Sequence, residues 1–309
     1  MIKVATQAEI SMICGEIIPF IGEMVLHPCG NYVIQNLITH GDTSIKKGLF
    51  EMLKNNMMYL TEDVCGCRVA QAAIQYFDED DSTALARELD GNLTECIRSR
   101  NGNHVVQACI VHLPASRLGF MMDFFADKVK HLAVHPFGCR VLQRILEHCN
   151  DEKAKSKVIQ AIIKDSEALA MDQYGNYILQ HALVHGNEAE RSAIVQEVAP
   201  KVVSLSCHKY ASNPVEKCLA KGSTGDVNLL ISSALAGEKD SEGVRVMAKD
   251  RFGNYVVQRM LKMADEAQRK DITSRLDSVE MLRSSPFGRA VAGFLERMDT
   301  TTTTVDSQN

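Results

Sequence analysis

One segment recurs along the chain at a nearly constant interval, and this limits the fold more than any other feature. It first appears as His27-Pro28-Cys29-Gly30-Asn31-Tyr32-Val33-Ile34-Gln35. It returns as Cys65-Gly66-Cys67-Arg68, Asn101-Gly102-Asn103-His104, Phe137-Gly138-Cys139-Arg140 and Tyr174-Gly175-Asn176-Tyr177, each followed by two apolar residues and Gln. A variant, Tyr210-Ala211-Ser212-Asn213-Pro214-Val215-Glu216, precedes Phe252-Gly253-Asn254-Tyr255 and a degenerate Pro286-Phe287-Gly288-Arg289. The marker positions 30, 66, 102, 138, 175, 211, 253 and 288 are 36, 36, 36, 37, 36, 42 and 35 residues apart. The array fills nearly all of the 309 residues, leaving no room for a separate catalytic domain. A unit this short cannot bury an apolar face alone, so neighbouring units must stack into a continuous core.

Each unit reads as helical. Seven residues after Asn31 and its equivalents stand Ile38, Ile74, Ile110, Leu146, Leu183, Leu219 and Leu261, a core column. Further stretches such as Ile45, Leu49 and Leu53 recur at helical spacing. The short polar residue after each glycine is expected to cap the helix. The fold expected is an all-α, curved α-solenoid of about eight units of ~36 residues.

Composition agrees. Apolar residues make up 45% and charged residues 24% of the chain, which is globular usage. Aromatics at 6% and the lack of Trp argue against a large β architecture. No apolar run reaches the ~18 residues of a membrane span, and Glu9 and Glu16 spoil a signal peptide. None of the ten cysteines forms a Cys-x-x-Cys pair. They read as reduced, small, buried residues of a cytoplasmic protein. His181 and His185 have metal-ligand spacing but no zincin glutamate and no third ligand. No phosphate-binding loop is present, so no metal, cofactor or nucleotide hydrolysis is expected.

A helix advances about 100° per residue, so Asn31 and Gln35 share one side, with Tyr32 between that edge and the flank and Val33 and Leu37 turned to the core. Every unit then presents a triad: Asn31-Tyr32-Gln35, Cys67-Arg68-Gln71, Asn103-His104-Gln107, Cys139-Arg140-Gln143, Asn176-Tyr177-Gln180, Ser212-Asn213-Glu216 and Asn254-Tyr255-Gln258. A merely solvated face would not fix Gln six times in seven at the third position. The middle residue is Tyr, His or Arg in six units, and all of these have flat faces suited to stacking on splayed bases. The amide of Gln carries donors and an acceptor and matches the mixed edges of uracil and adenine. A small Cys beside it leaves room for the larger ring. Glu216, when ionised, is acceptor-only and suits the two adjacent donors of guanine. The eleven residues starting at each triad together carry a net charge of +5, within a chain whose net charge is −5. A basic face on an acidic protein fits a polyanion.

On these triads the chain resembles the Pumilio/FBF (PUF) family over residues 1–298, as seven code-bearing repeats plus a C-terminal cap. The resemblance implies three-helix repeats whose triad helices line a concave face, with RNA running antiparallel to the protein. It implies guanine at Ser212/Glu216, uracil at the units of Asn31, Asn103, Asn176 and Asn254, and adenine at Cys67/Gln71 and Cys139/Gln143. The implied target is 5′-UGUAUAU-3′ in messenger RNA 3′ untranslated regions. Repression or decay would proceed through protein co-regulators such as the deadenylation machinery. The chain is expected to be a monomeric, cytoplasmic, non-enzymatic binder of single-stranded RNA that does not engage membranes. The rival is a helical-repeat scaffold holding a protein or peptide on its concave face.

Three departures and three flanking segments carry expectations of their own. Pro214 replaces the Val or Ile of the other units and is expected to shift Asn213. Ala211 replaces the repeating glycine, so that position does not require positive φ. Arg289 and Gly293 stand where code residues would fall, marking the last copy as a cap. Residues 237–243 read as an exposed loop suited to a partner, and 299–309 as a disordered tail. Counting one repeat back from Asn31 passes Met1. The natural protein is therefore expected to extend further N-terminally or to have lost its first reader, and this chain to read seven bases.

Overall fold

The computed structural model describes residues 6–236 and 242–306. Most of the expected partner-binding loop, residues 237–241, and the last three residues of the expected tail lie outside the described residues. Among the described residues every regular element is a helix. The chain forms two compact units, Met1–Val158 and Ile159–Asn309, divided within the helix Glu152–Lys164.

In the first unit the triad helices are Gly30–His40, Gly66–Tyr76, Gly102–His112 and Gly138–His148. They pack side by side in chain order. Each is preceded by a short helical stretch, Ile21–Met24, Met57–Glu62, Leu93–Arg98 and the end of Gly119–Ala133. Outer helices such as Thr43–Leu53 and Glu79–Arg87 follow the triad helices. The second unit repeats the plan with Gly175–His185, Ser212–Lys221, Gly253–Met263 and the final helix Gly288–Asp306. The expected core column is buried in all seven units. The position after the middle triad residue is buried in six units, and Val33 alone is half-buried.

The repeating glycine is fixed by a close approach. A Cβ at Gly138 would lie 2.5 Å from the Leu132 carbonyl oxygen, and one at Gly102 2.5 Å from that of Cys96. The short preceding helix thus presses its carbonyl onto the start of the triad helix. Among the described residues positive φ occurs at Asn55 and Gly91, not at the repeating glycines. Ala211 has φ −71°, as an L-residue readily adopts.

The final helix is Gly288–Asp306.

Candidate nucleic-acid interface

Each triad helix is held at its start by a residue that the triad pattern overlooks. The residue three before the glycine is His27, Asp63, Ser99, His135, Asp172, His208 or Asp250. Its side chain accepts two backbone N–H bonds, from the residue before the glycine and from the glycine position. For Asp63 Oδ1 the distances are 2.8 and 2.7 Å, to Cys65 and Gly66. For Asp250 they are 2.7 and 2.8 Å, and for His135 Nδ1 both are 3.2 Å, to Phe137 and Gly138. Asp63, Asp172 and Asp250 have extended backbones, the conformation of a capping residue. The expected cap, the short polar residue after the glycine, is therefore corrected: it lies one residue inside the helix, where no cap is needed.

That residue is instead buried. Asn31, Asn103, Asn176 and Asn254 are at most 3% exposed. Each Nδ2 donates to two carbonyl oxygens of the turn before the helix, as Asn176 does to Asp172 at 2.9 Å and Gln173 at 3.1 Å. Each Oδ1 accepts from the triad glutamine one turn on: Gln35 Nε2 at 2.8 Å, Gln107 at 2.9 Å, Gln180 at 3.1 Å and Gln258 at 3.2 Å. The asparagine thus spends its polar atoms on the protein and orients the glutamine. The half-buried glutamine keeps one N–H and its Oε1 for an incoming edge, one donor beside one acceptor.

The other units differ in how the third residue is held. Cys67 and Cys139 are buried and their thiols face the Val64 and Pro136 carbonyls at 3.5 Å. Gln71 Nε2, lacking a side-chain anchor, donates to the Cys67 carbonyl at 2.9 Å. Ser212 is buried as well. Beside it burial pushes the Glu216 carboxyl above its ordinary pKa, against the opposing pull of Arg259 from the next unit.

The middle triad residue is exposed in every unit. Tyr32, Tyr177 and Tyr255 are 51%, 54% and 59% exposed, high for large aromatic side chains. His104 and Arg140 are exposed as well. Successive units meet at this level: Arg68 Nη1 donates to Tyr32 Oη at 2.9 Å and its guanidinium sits 6.0 Å from the ring centroid. Asn213 behaves differently. In the Cys139 unit the N–H of Val141 bonds to the Phe137 carbonyl. Pro214 has no such N–H, and Asn213 Nδ2 donates to the corresponding carbonyl, Tyr210, at 3.3 Å. The side chain expected to stack thus replaces the bond that proline removes, while Pro214 stays buried in an intact helix.

A helical-repeat protein with exposed flat side chains alternating with oriented amides has the makings of a nucleic-acid binder. The Pumilio-family RNA binding repeat matches at residues 21–53, 56–89, 97–123, 128–163, 167–199, 201–233 and 244–276. The chain belongs to the Pumilio family of RNA-binding repeat proteins, which are not enzymes. It is 27% identical over 293 residues to Pumilio homolog 12 of Arabidopsis thaliana, covering 93% of this chain and 48% of that protein. It is 28% identical over 273 residues to Fem-3 mRNA-binding factor 1 of Caenorhabditis elegans, covering 77% and 44%. The chain thus spans less than half of either relative. The structure of PUF-8 in complex with PBE-RNA superposes with a TM-score of 0.88 at 30% identity, covering 96% of this chain and 87% of that one. The Puf3 RNA binding domain bound to Cox17 RNA 3′ UTR recognition sequence site A gives 0.80 at 31% identity, with 95% and 89% covered.

Proposed function

We propose that the chain binds single-stranded RNA of sequence 5′-UGUAUAU-3′, one base to each of its seven triads, within messenger RNA 3′ untranslated regions in the cytoplasm. The observation that carries this is the seven-fold recurrence of an exposed middle residue beside a half-buried amide or carboxylate. A glutamine with one free donor and one free acceptor complements uracil N3–H with a neighbouring carbonyl, or adenine N6–H with N1. The asparagine-held glutamines serve uracil. Those beside the smaller Cys67 and Cys139 leave room for adenine. Glu216 takes guanine N1–H and N2–H. Binding acts as a monomer and delivers protein co-regulators, of the deadenylation class, to the bound message.

The test is a filter-binding titration with UGUAUAU and with seven oligonucleotides, each changed at one base. Each change should cost about 1–3 kcal/mol, by analogy with base-edge pairs in DNA. A peptide-binding scaffold would show no preference among the eight.

A further inference from the structure

We infer that His135 is a positioning residue for RNA binding in the fourth unit, latching the start of the helix Gly138–His148 through a neutral imidazole that releases on protonation. This rests on the base-reading assignment above. His135 Nδ1 accepts from the N–H groups of Phe137 and Gly138, both at 3.2 Å. An imidazole nitrogen accepts only without a proton, and in the imidazolium both nitrogens are donors. Protonation therefore turns two attractions into two opposed N–H groups, at the helix end where the macrodipole already disfavours positive charge.

The two amides immediately precede the residues that carry the site. Cys139 follows Gly138, Arg140 follows Cys139, and Gln143 lies one turn on. Freeing the turn shifts all three at once. The charged group facing the imidazole is Arg98, from the short helix of the preceding unit, and Phe137 stands edge-on at 5.7 Å. Burial first, and Arg98 second, hold the histidine below its ordinary pKa. The sign follows: with the folded value lowered, the latch is intact above the unfolded-state value and is lost as pH falls through the folded one.

The chain supplies its own controls. Asp63, Asp172 and Asp250 make the same pair of bonds with a carboxylate, and Ser99 makes it with a hydroxyl at 3.2 and 3.1 Å. His135→Asp and His135→Ser therefore keep an acceptor that similar turns already accommodate.

The experiment measures Kd for UGUAUAU from pH 8 to pH 5 for the unmodified protein and both variants. Taking the ratio of each variant to the unmodified protein cancels every other titrating group. Each variant should gain about threefold or more relative to the unmodified protein as the pH falls, the factor by which the competent fraction shrinks. In parallel, amide-exchange protection of Phe137 and Gly138 should fall in acid in the unmodified protein and persist in His135→Asp. A pH-independent Kd ratio with unchanged protection would overturn the latch. No binding at pH 8 with the exchange difference present would remove the base-reading assignment, and the role in RNA binding with it.

Discussion

Gln35 Nε2 donates to Asn31 Oδ1 at 2.8 Å, and the same bond recurs in each asparagine-bearing unit. The pair works because Asn31 is itself fixed by the His27 and Pro28 carbonyls. Replacing Asn176 with Asp keeps an acceptor for Gln180 but sets a carboxylate oxygen against the Asp172 and Gln173 carbonyls. Asn176→Asp should lose about 1–3 kcal/mol of stability in urea denaturation. Asn176→Asp no less stable than the unmodified protein would show that those two bonds carry no weight.

The glycine contacts make a paired prediction. Gly138→Ala puts a Cβ 2.5 Å from a backbone oxygen rather than from the end of a flexible side chain, so the backbone itself must shift. It should destabilise by about 1–3 kcal/mol, as other overpacked sites do. Gly48 lies in the helix Thr43–Leu53, with nothing within 4 Å of a built Cβ. Gly48→Ala should therefore stabilise by up to ~1 kcal/mol through helix propensity. Thermal melts of the two variants should move in opposite directions.

Guanine selection should depend on pH. In the proposed reading the ionised Glu216 accepts from guanine, and burial raises its pKa in the free protein. Binding of the guanine oligonucleotide should therefore weaken as pH falls, starting above the pH at which an ordinary glutamate titrates. Glu216→Gln should cost about 1–3 kcal/mol at neutral pH and remove this share of the pH dependence. Undiminished preference for G over U in Glu216→Gln, by competition titration, would reassign the guanine site.

The exposed tyrosines should supply affinity without choosing the base. Tyr177→Ala and Tyr255→Ala should each weaken binding by roughly 1–3 kcal/mol with the order of base preference unchanged. Asn213→Ala should differ in kind. Its effect should appear in the stability of the turn before Pro214 rather than in stacking, and melting curves with and without RNA would separate the two.

The number of bases read is open to direct measurement. Seven repeats match the family, and Arg289 and Gly293 stand where an eighth pair of proposed code residues would fall. With the RNA antiparallel to the protein, as the family resemblance implies, a base added 5′ of UGUAUAU faces Arg289 and Gly293, and each of the four bases there should bind with equal affinity. A tenfold preference at the added position, ~1.4 kcal/mol, would reveal another reader.

The register of the fold was legible because the glycine, the core column and the triad recur together. What made the glycine necessary was not. The 2.5 Å approach of Leu132 to Gly138 depends on how the short helix meets the triad helix, which periodicity does not record. The true cap did leave a signal: every unit has His, Asp or Ser three residues before the marker, and all can accept hydrogen bonds. Aligning the units on residues after the glycine hid that column. The exposed middle residues followed from helical geometry alone. Burial of Asn31 beside half-buried Gln35 did not, because 40° of rotation separates core from rim only once neighbouring units are in place.

If the triads read bases as proposed, the buried first position of the triad links the choice of base to the integrity of the core. A residue there must either satisfy two inward-facing carbonyls, as Asn176 does, or be small enough to sit beside them, as Cys67 and Ser212 do. Few side chains meet either condition, since an unpaired buried polar group costs about 1–3 kcal/mol. On that reading, changes of target during evolution would be confined to a narrow alphabet. Most substitutions at this position would be eliminated as folding defects before their effect on RNA choice could be selected.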